Sequence, residues 1–131
     1  MSGMLLLVLV LVGMAGTAQA AIECPATLPG PHDRFELVGT VPAKVAVLDG
    51  LRLFDGQRGE ENKTAPVELA PDSATNKAGG FATKWILGGD ETVLMLCTYL
   101  GTNAYYRADI RPVPRVCTLT TGASKVTASC N

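Results

Sequence analysis

The residues whose types could do chemistry in this 131-residue chain are four cysteines, one histidine and a scatter of carboxylates. The cysteines are Cys24, Cys97, Cys117 and Cys130. No two of them sit two to four positions apart, as zinc-binding pairs do, and His32 is the only histidine, so the spacing fits no zinc site. His32 lies beside Asp33 in a Pro-rich stretch, with no Ser or Cys nucleophile motif to serve. The neighbouring acids Glu60-Glu61 and Asp90-Glu91 could act as an acid/base pair only by facing one another across a cleft, and adjacent side chains on a loop or strand diverge. Asp49-Gly50 and Asp55-Gly56 are not followed by the run of oxygen ligands that a calcium loop requires. Turn chemistry accounts for both. No catalytic residue, metal or cofactor is expected, and the chain does not read as an enzyme.

The chemistry left to the cysteines is disulfide formation. The run Leu5 to Val12 is apolar, and small residues lead to Ala18-Gln19-Ala20. This is the pattern of an export signal cut after Ala20, although no Lys or Arg precedes the apolar run. The run is also well short of the ~20 apolar residues that span a bilayer, so no stable membrane anchor is expected after cleavage. Cys24 follows Ile22-Glu23, which does not suit lipoprotein processing. An even number of cysteines in an exported domain reads as two disulfides. Three connectivities are open, and the last hairpin favours Cys117–Cys130 with Cys24–Cys97.

The elements that must position these residues are strands. Residues 21–131 carry all eleven basic and twelve acidic side chains and are close to neutral, which argues against a nucleic-acid or acidic-membrane partner. Asp49-Gly50 between two apolar runs predicts a two-residue hairpin, pairing Leu48 with Leu51 and Ala46 with Leu53. A short strand is expected at Glu68 to Asp72. Phe81, Thr83, Trp85 and Leu87 alternate with Ala82, Lys84 and Ile86, a period of two that marks another. Glu91 to Leu100 is apolar at nearly every position and predicts a central strand covered on both faces. Tyr105 to Ile110 follows as a strand. With a turn at Gly122 to Lys125, Cys117 falls opposite Cys130, Leu119 opposite Ala128 and Thr121 opposite Val126. No helical periodicity of useful length and no internal repeat is found. The fold class is mostly β: a small antiparallel, sandwich-like domain over residues 21–131, stapled by two disulfides.

Several short motifs occur in a fixed order: Cys24-Pro25-Ala26-Thr27, Leu53-Phe54-Asp55-Gly56, Leu69-Ala70-Pro71-Asp72, Trp85-Ile86-Leu87, and Cys97-Thr98-Tyr99-Leu100-Gly101-Thr102 followed by Cys117. In this order they resemble a family of small exported Gram-negative proteins of unknown function, some encoded near type VI secretion clusters. The resemblance spans nearly all of the mature chain but leaves Cys130 unmatched, and it carries no catalytic residues. It implies a periplasmic location and a role beside secretion or envelope defence.

A protein-binding module of immunity or inhibitor type follows, its partner another periplasmic or secreted protein. A structural envelope component and a small carboxylate hydrolase are the other readings. Recognition is expected in two long polar loops, Gln57 to Pro66 and Ser73 to Gly80, because loops on a rigid scaffold are where binding concentrates. They carry Arg58, Glu60, Glu61, Lys63, Asp72 and Lys77, charges of both signs. The strand Glu91 to Leu100 is expected to be consumed by the core. Trp85 with Tyr99, Tyr105 and Tyr106 forms a core or recognition cluster.

Overall fold

The computed structural model describes residues 21–56, 67–77, 79–88, 92–111 and 113–131. The described residues form eleven strands: β1 (Ile22–Glu23), β2 (Thr27–Leu28), β3 (Glu36–Val38), β4 (Ala46–Asp55), β5 (Val67–Glu68), β6 (Ser73–Lys77), β7 (Gly80–Ile86), β8 (Val93–Tyr99), β9 (Tyr105–Ile110), β10 (Val116–Gly122) and β11 (Val126–Cys130). They make two antiparallel sheets. The first has the order β1-β11-β10-β7-β6; the second has the order β2-β4-β8-β9-β3, with β5 also paired to β4. The sheets share one core. Trp85, Cys117, Ala128 and Cys130 of the first meet Leu53, Met95, Cys97 and Tyr106 of the second, and the Cys130 and Met95 sulfurs touch at 3.9 Å.

The predicted hairpin at Asp49-Gly50 does not form. β4 runs unbroken through both residues, and the register shifts between Leu48 and Gly50, leaving Asp49 as the extra residue of a β-bulge. The physical reason lies in the partner strand. β8 pairs with β4 from Asp55 through Gly50 and again at Leu48, its last residue Tyr99 lying just past the bulge, so a ladder was available to a straight chain and a turn would have forfeited it. The bulge also restores the alternation: Ala46 and Leu48 face inward before it, Leu51, Leu53 and Asp55 after it. Asp49 accepts a hydrogen bond from Thr98 Oγ1 at 2.8 Å. A side chain at Gly50 would meet that hydroxyl, since an added Cβ would lie 2.6 Å from it.

Three further expectations change. The short strand expected at Glu68 to Asp72 is instead Val67–Glu68. The expected loop Ser73 to Gly80 contains β6, paired residue by residue with β7 from Ser73↔Lys84 to Lys77↔Gly80. Its polar composition gave no apolar alternation because this edge strand leaves Ser73 through Asn76 exposed. Trp85 in β7 is buried and Leu87 just after it packs on the core, whereas Phe81 is exposed and Ala82 is buried. The C-terminal hairpin has the predicted register throughout, including Cys117↔Cys130.

Both disulfides take the favoured pairing, Cys24–Cys97 and Cys117–Cys130. The second staples neighbours in one hairpin. The first ties the N-terminal segment to the central strand of the second sheet, and close beside it Tyr99 donates its hydroxyl to the Pro25 carbonyl at 2.6 Å. Burial pushes the Tyr99 phenol well above its usual pKa, with the neighbouring Tyr106 adding to the shift, so it stays a neutral donor. Tyr106 accepts the Gly30 amide at 3.1 Å and stacks on His32. His32 therefore has a structural setting.

Cys24–Cys97 spans 73 residues and Cys117–Cys130 spans 13. In the loop-entropy model the longer loop is worth about 1 to 1.5 kcal/mol more. The double mutant Cys24→Ser/Cys97→Ser is therefore expected to unfold at lower urea than Cys117→Ser/Cys130→Ser. Equal m-values with the reverse order of midpoints would show that loop entropy does not govern these bridges.

Candidate functional site

Among the described residues, the strand expected to be covered on both faces is covered on one. Val93, Met95, Cys97 and Tyr99 are buried, whereas Leu94, Leu96 and Thr98 are only partly buried and point the other way. The register extends this outer surface across the second sheet. Phe54 lies opposite Leu94, which lies opposite Asp109. Arg52, Leu96, Arg107 and Glu36 form the next row, and Gly50, Thr98, Tyr105 and Val38 the third. Phe54, Leu94, Leu96, Tyr105 and Val38 are partly buried without belonging to the core cluster or packing against it. The register sets them on neighbouring strands on the outside of the sandwich.

Charges edge this apolar stripe. Arg52 makes a two-pronged ion pair with Glu68, both bonds 2.9 Å, and its guanidinium lies 5.2 Å from the centre of the Phe54 ring. The hydrogen bond to Glu68 raises the Arg52 pKa, and the bond from Arg52 lowers that of Glu68. The pair is half exposed, so it orients Arg52 over Phe54 more than it stabilises the fold. Arg107 is exposed and has no ion pair among the described residues. Apolar and aromatic groups flanked by arginine are the composition of a protein-binding surface.

The charged residues singled out from the sequence fall in different places. Arg58, Glu60, Glu61 and Lys63 lie outside the described residues, as do Asp90 and Glu91. In sequence the first four lie between β4 and β5. Asp72 precedes β6, and its carboxylate accepts the Ile86 amide, so it fastens the chain to β7. Lys77 ends β6. Asp72 and Lys77 thus sit on the first sheet, away from the stripe. Of the aromatic cluster, Trp85, Tyr99 and Tyr106 are in the core and Tyr105 alone faces outward. Trp85 donates its indole N–H to the Leu69 carbonyl at 3.1 Å, joining two of the recurrent motifs. The outer stripe was missed because an apolar run in one strand does not show whether its second face meets a partner layer. The alternation of Arg52 with Phe54 and of Tyr105 with Arg107 was the available signal.

Among the described residues no group of three His, Cys, Asp or Glu side chains could hold a metal ion, and no helix is long and apolar enough to cross a membrane. The architecture is a small disulfide-stapled sandwich presenting an apolar sheet face. The model of the type VI secretion system Tli immunity protein family matches residues 42–131, more than half of the chain. The chain belongs to that family, and it is an immunity-type module, in agreement with the secretion-linked resemblance of its motifs. Comparison with curated proteins and with solved structures gave no match.

If the stripe is not core, replacing it should be mild. Leu94→Ser and Leu96→Ser are each expected to cost about 1 kcal/mol or less, whereas Met95→Ala, fully buried between them, should cost about 2–5 kcal/mol. Urea unfolding of the three variants measures this, and comparable losses at all three positions would place the stripe in the core.

Proposed function

We propose that this protein is exported, loses residues 1–20, and protects the periplasm of its host by binding a toxin effector delivered by type VI secretion. Family membership supports a protein partner of that kind. The observation that carries the choice of surface is the outer face of the second sheet, where Phe54, Leu94, Leu96, Tyr105 and Val38 stand outside the core with Arg52 and Arg107 beside them. Arg58, Glu60, Glu61 and Lys63, between β4 and β5 in sequence, reinforce this contact, since charges of both signs suit specific protein contacts. The protein acts by occlusion rather than catalysis. Two disulfides and no free cysteine favour an oxidising compartment.

Growth of cells that direct type VI toxin effectors, one at a time, to their own periplasm tests this reading. The full-length exported protein is expected to restore growth, and a form lacking residues 2–20 is not. Leu94→Glu/Leu96→Glu, exported to the same level, should lose protection, because a buried unpaired charge at the centre of an interface costs several kcal/mol. Protection by the leaderless form would overturn the location, and full protection by the double mutant would overturn the surface.

A further inference from the structure

β11 is only half covered on its outer side. β1 pairs with it at Ile22↔Cys130 and Glu23↔Ser129, and one more bond runs from the Cys24 amide to the Ala128 carbonyl. The chain then leaves for the second sheet, drawn away by Cys24–Cys97 and by the pairing of Thr27 and Leu28 with β4. Among the described residues Val126 is left without a strand neighbour on that side. The direction of its main-chain groups follows from the ladder. Asn131 and Val116 exchange both bonds, and the Gly122 amide bonds to the Lys125 carbonyl. Odd-numbered residues of β11 therefore turn their N–H and C=O toward β10, and even-numbered residues turn theirs outward. The Val126 amide and carbonyl both point outward and have no partner among the described residues.

They open into a groove of about 500 Å³ between β11 and the departing segment, with Pro25, Ala26 and Pro31 on its far wall. A bare strand edge beside a concave wall is suited to an extended main chain, which satisfies the edge and fills the groove together. The ends are charged: Lys125 lies at one and Glu23 at the other, both exposed and neither ion-paired among the described residues.

We infer that this groove takes an extended segment of the toxin effector, which continues the strand that β1 begins, bonds to the Val126 amide and carbonyl, and sets an acidic residue against Lys125. The inference rests on the immunity reading, which supplies a protein partner, and it adds a second point of contact to the outer sheet face.

The probe is the purified type VI effector against which this protein protects in the growth test, mixed with the disulfide-bonded exported protein. Amide hydrogen exchange of the free protein is expected to show Val126 exchanging freely while Thr127, bonded to β10, is protected. With saturating effector, Val126 exchange should slow by about tenfold or more. Val126→Pro removes only the outward donor and leaves the β10 ladder intact, and it should weaken binding by about tenfold. Lys125→Glu should weaken it as well. Should Val126→Pro unfold the chain, the wild-type exchange still decides the matter. Tight binding with Val126 exchange unchanged overturns the groove assignment and leaves the immunity reading standing. Absence of binding overturns both. Protection of Val126 that appears with rising protein concentration and no effector assigns the groove to a second copy, and also overturns the inference.

Discussion

The bond between Cys24 and Cys97 joins the segment that starts as an edge of the first sheet to the central strand of the second. In the space of seven residues the chain pairs with β11, crosses the open side of the sandwich and pairs with β4. Two-residue strands hold little by themselves. The disulfide and the hydrogen bond from Tyr99 to Pro25, both at the middle of the crossing, hold this strap in place. Leu28, fully buried, and the contacts of Tyr106 with Gly30 and His32 depend on where the strap lies. So does the groove beside β11, which exists because the strap leaves before the strand ends. Much of a small domain's order thus hangs on one cross-link, as is common where the core is too small to suffice.

The bulge at Asp49 is the second constraint. It lets one strand of ten residues keep its apolar side chains inward on both halves while the other side carries Arg52 and Phe54 outward. Without the extra residue, Leu51 and Leu53 would turn to solvent and Arg52 and Phe54 would enter the core. The bulge therefore makes the core and the outer stripe at once. The proposed binding surface and the core thus lie on the two sides of the same strands, so substitutions in the stripe leave Met95, Cys97 and Leu53 undisturbed.

The sequence was most legible where two signals agreed. Cysteine positions and alternation together placed the final hairpin in its register, and hence both disulfides, because a cross-strand pair admits few geometries. Period two in the β7 run and in Tyr105 to Ile110 located those strands. Legibility failed where local chemistry had two outcomes. Asp-Gly serves a turn or a bulge, and the choice lay with β8, more than forty residues away. Polar Ser73–Lys77 reads as loop, yet an edge strand needs no apolar side chains. Leu94 and Leu96 look like core until the absence of a covering layer among the described residues is seen. The charged residues of the Gln57 to Pro66 loop lie outside the described residues, and their part in recognition belongs to the proposal.

The claim that the outer face of the second sheet meets the effector is tested most directly by oxidative footprinting of side chains with and without it. Hydroxyl radicals mark exposed aromatic and aliphatic groups in proportion to their accessibility. Phe54, Leu96 and Tyr105 should lose most of their reactivity in the complex, while Ile86 and Phe81, exposed on the first sheet, should keep theirs. Unchanged reactivity at Phe54, Leu96 and Tyr105 in a saturated complex would contradict the account.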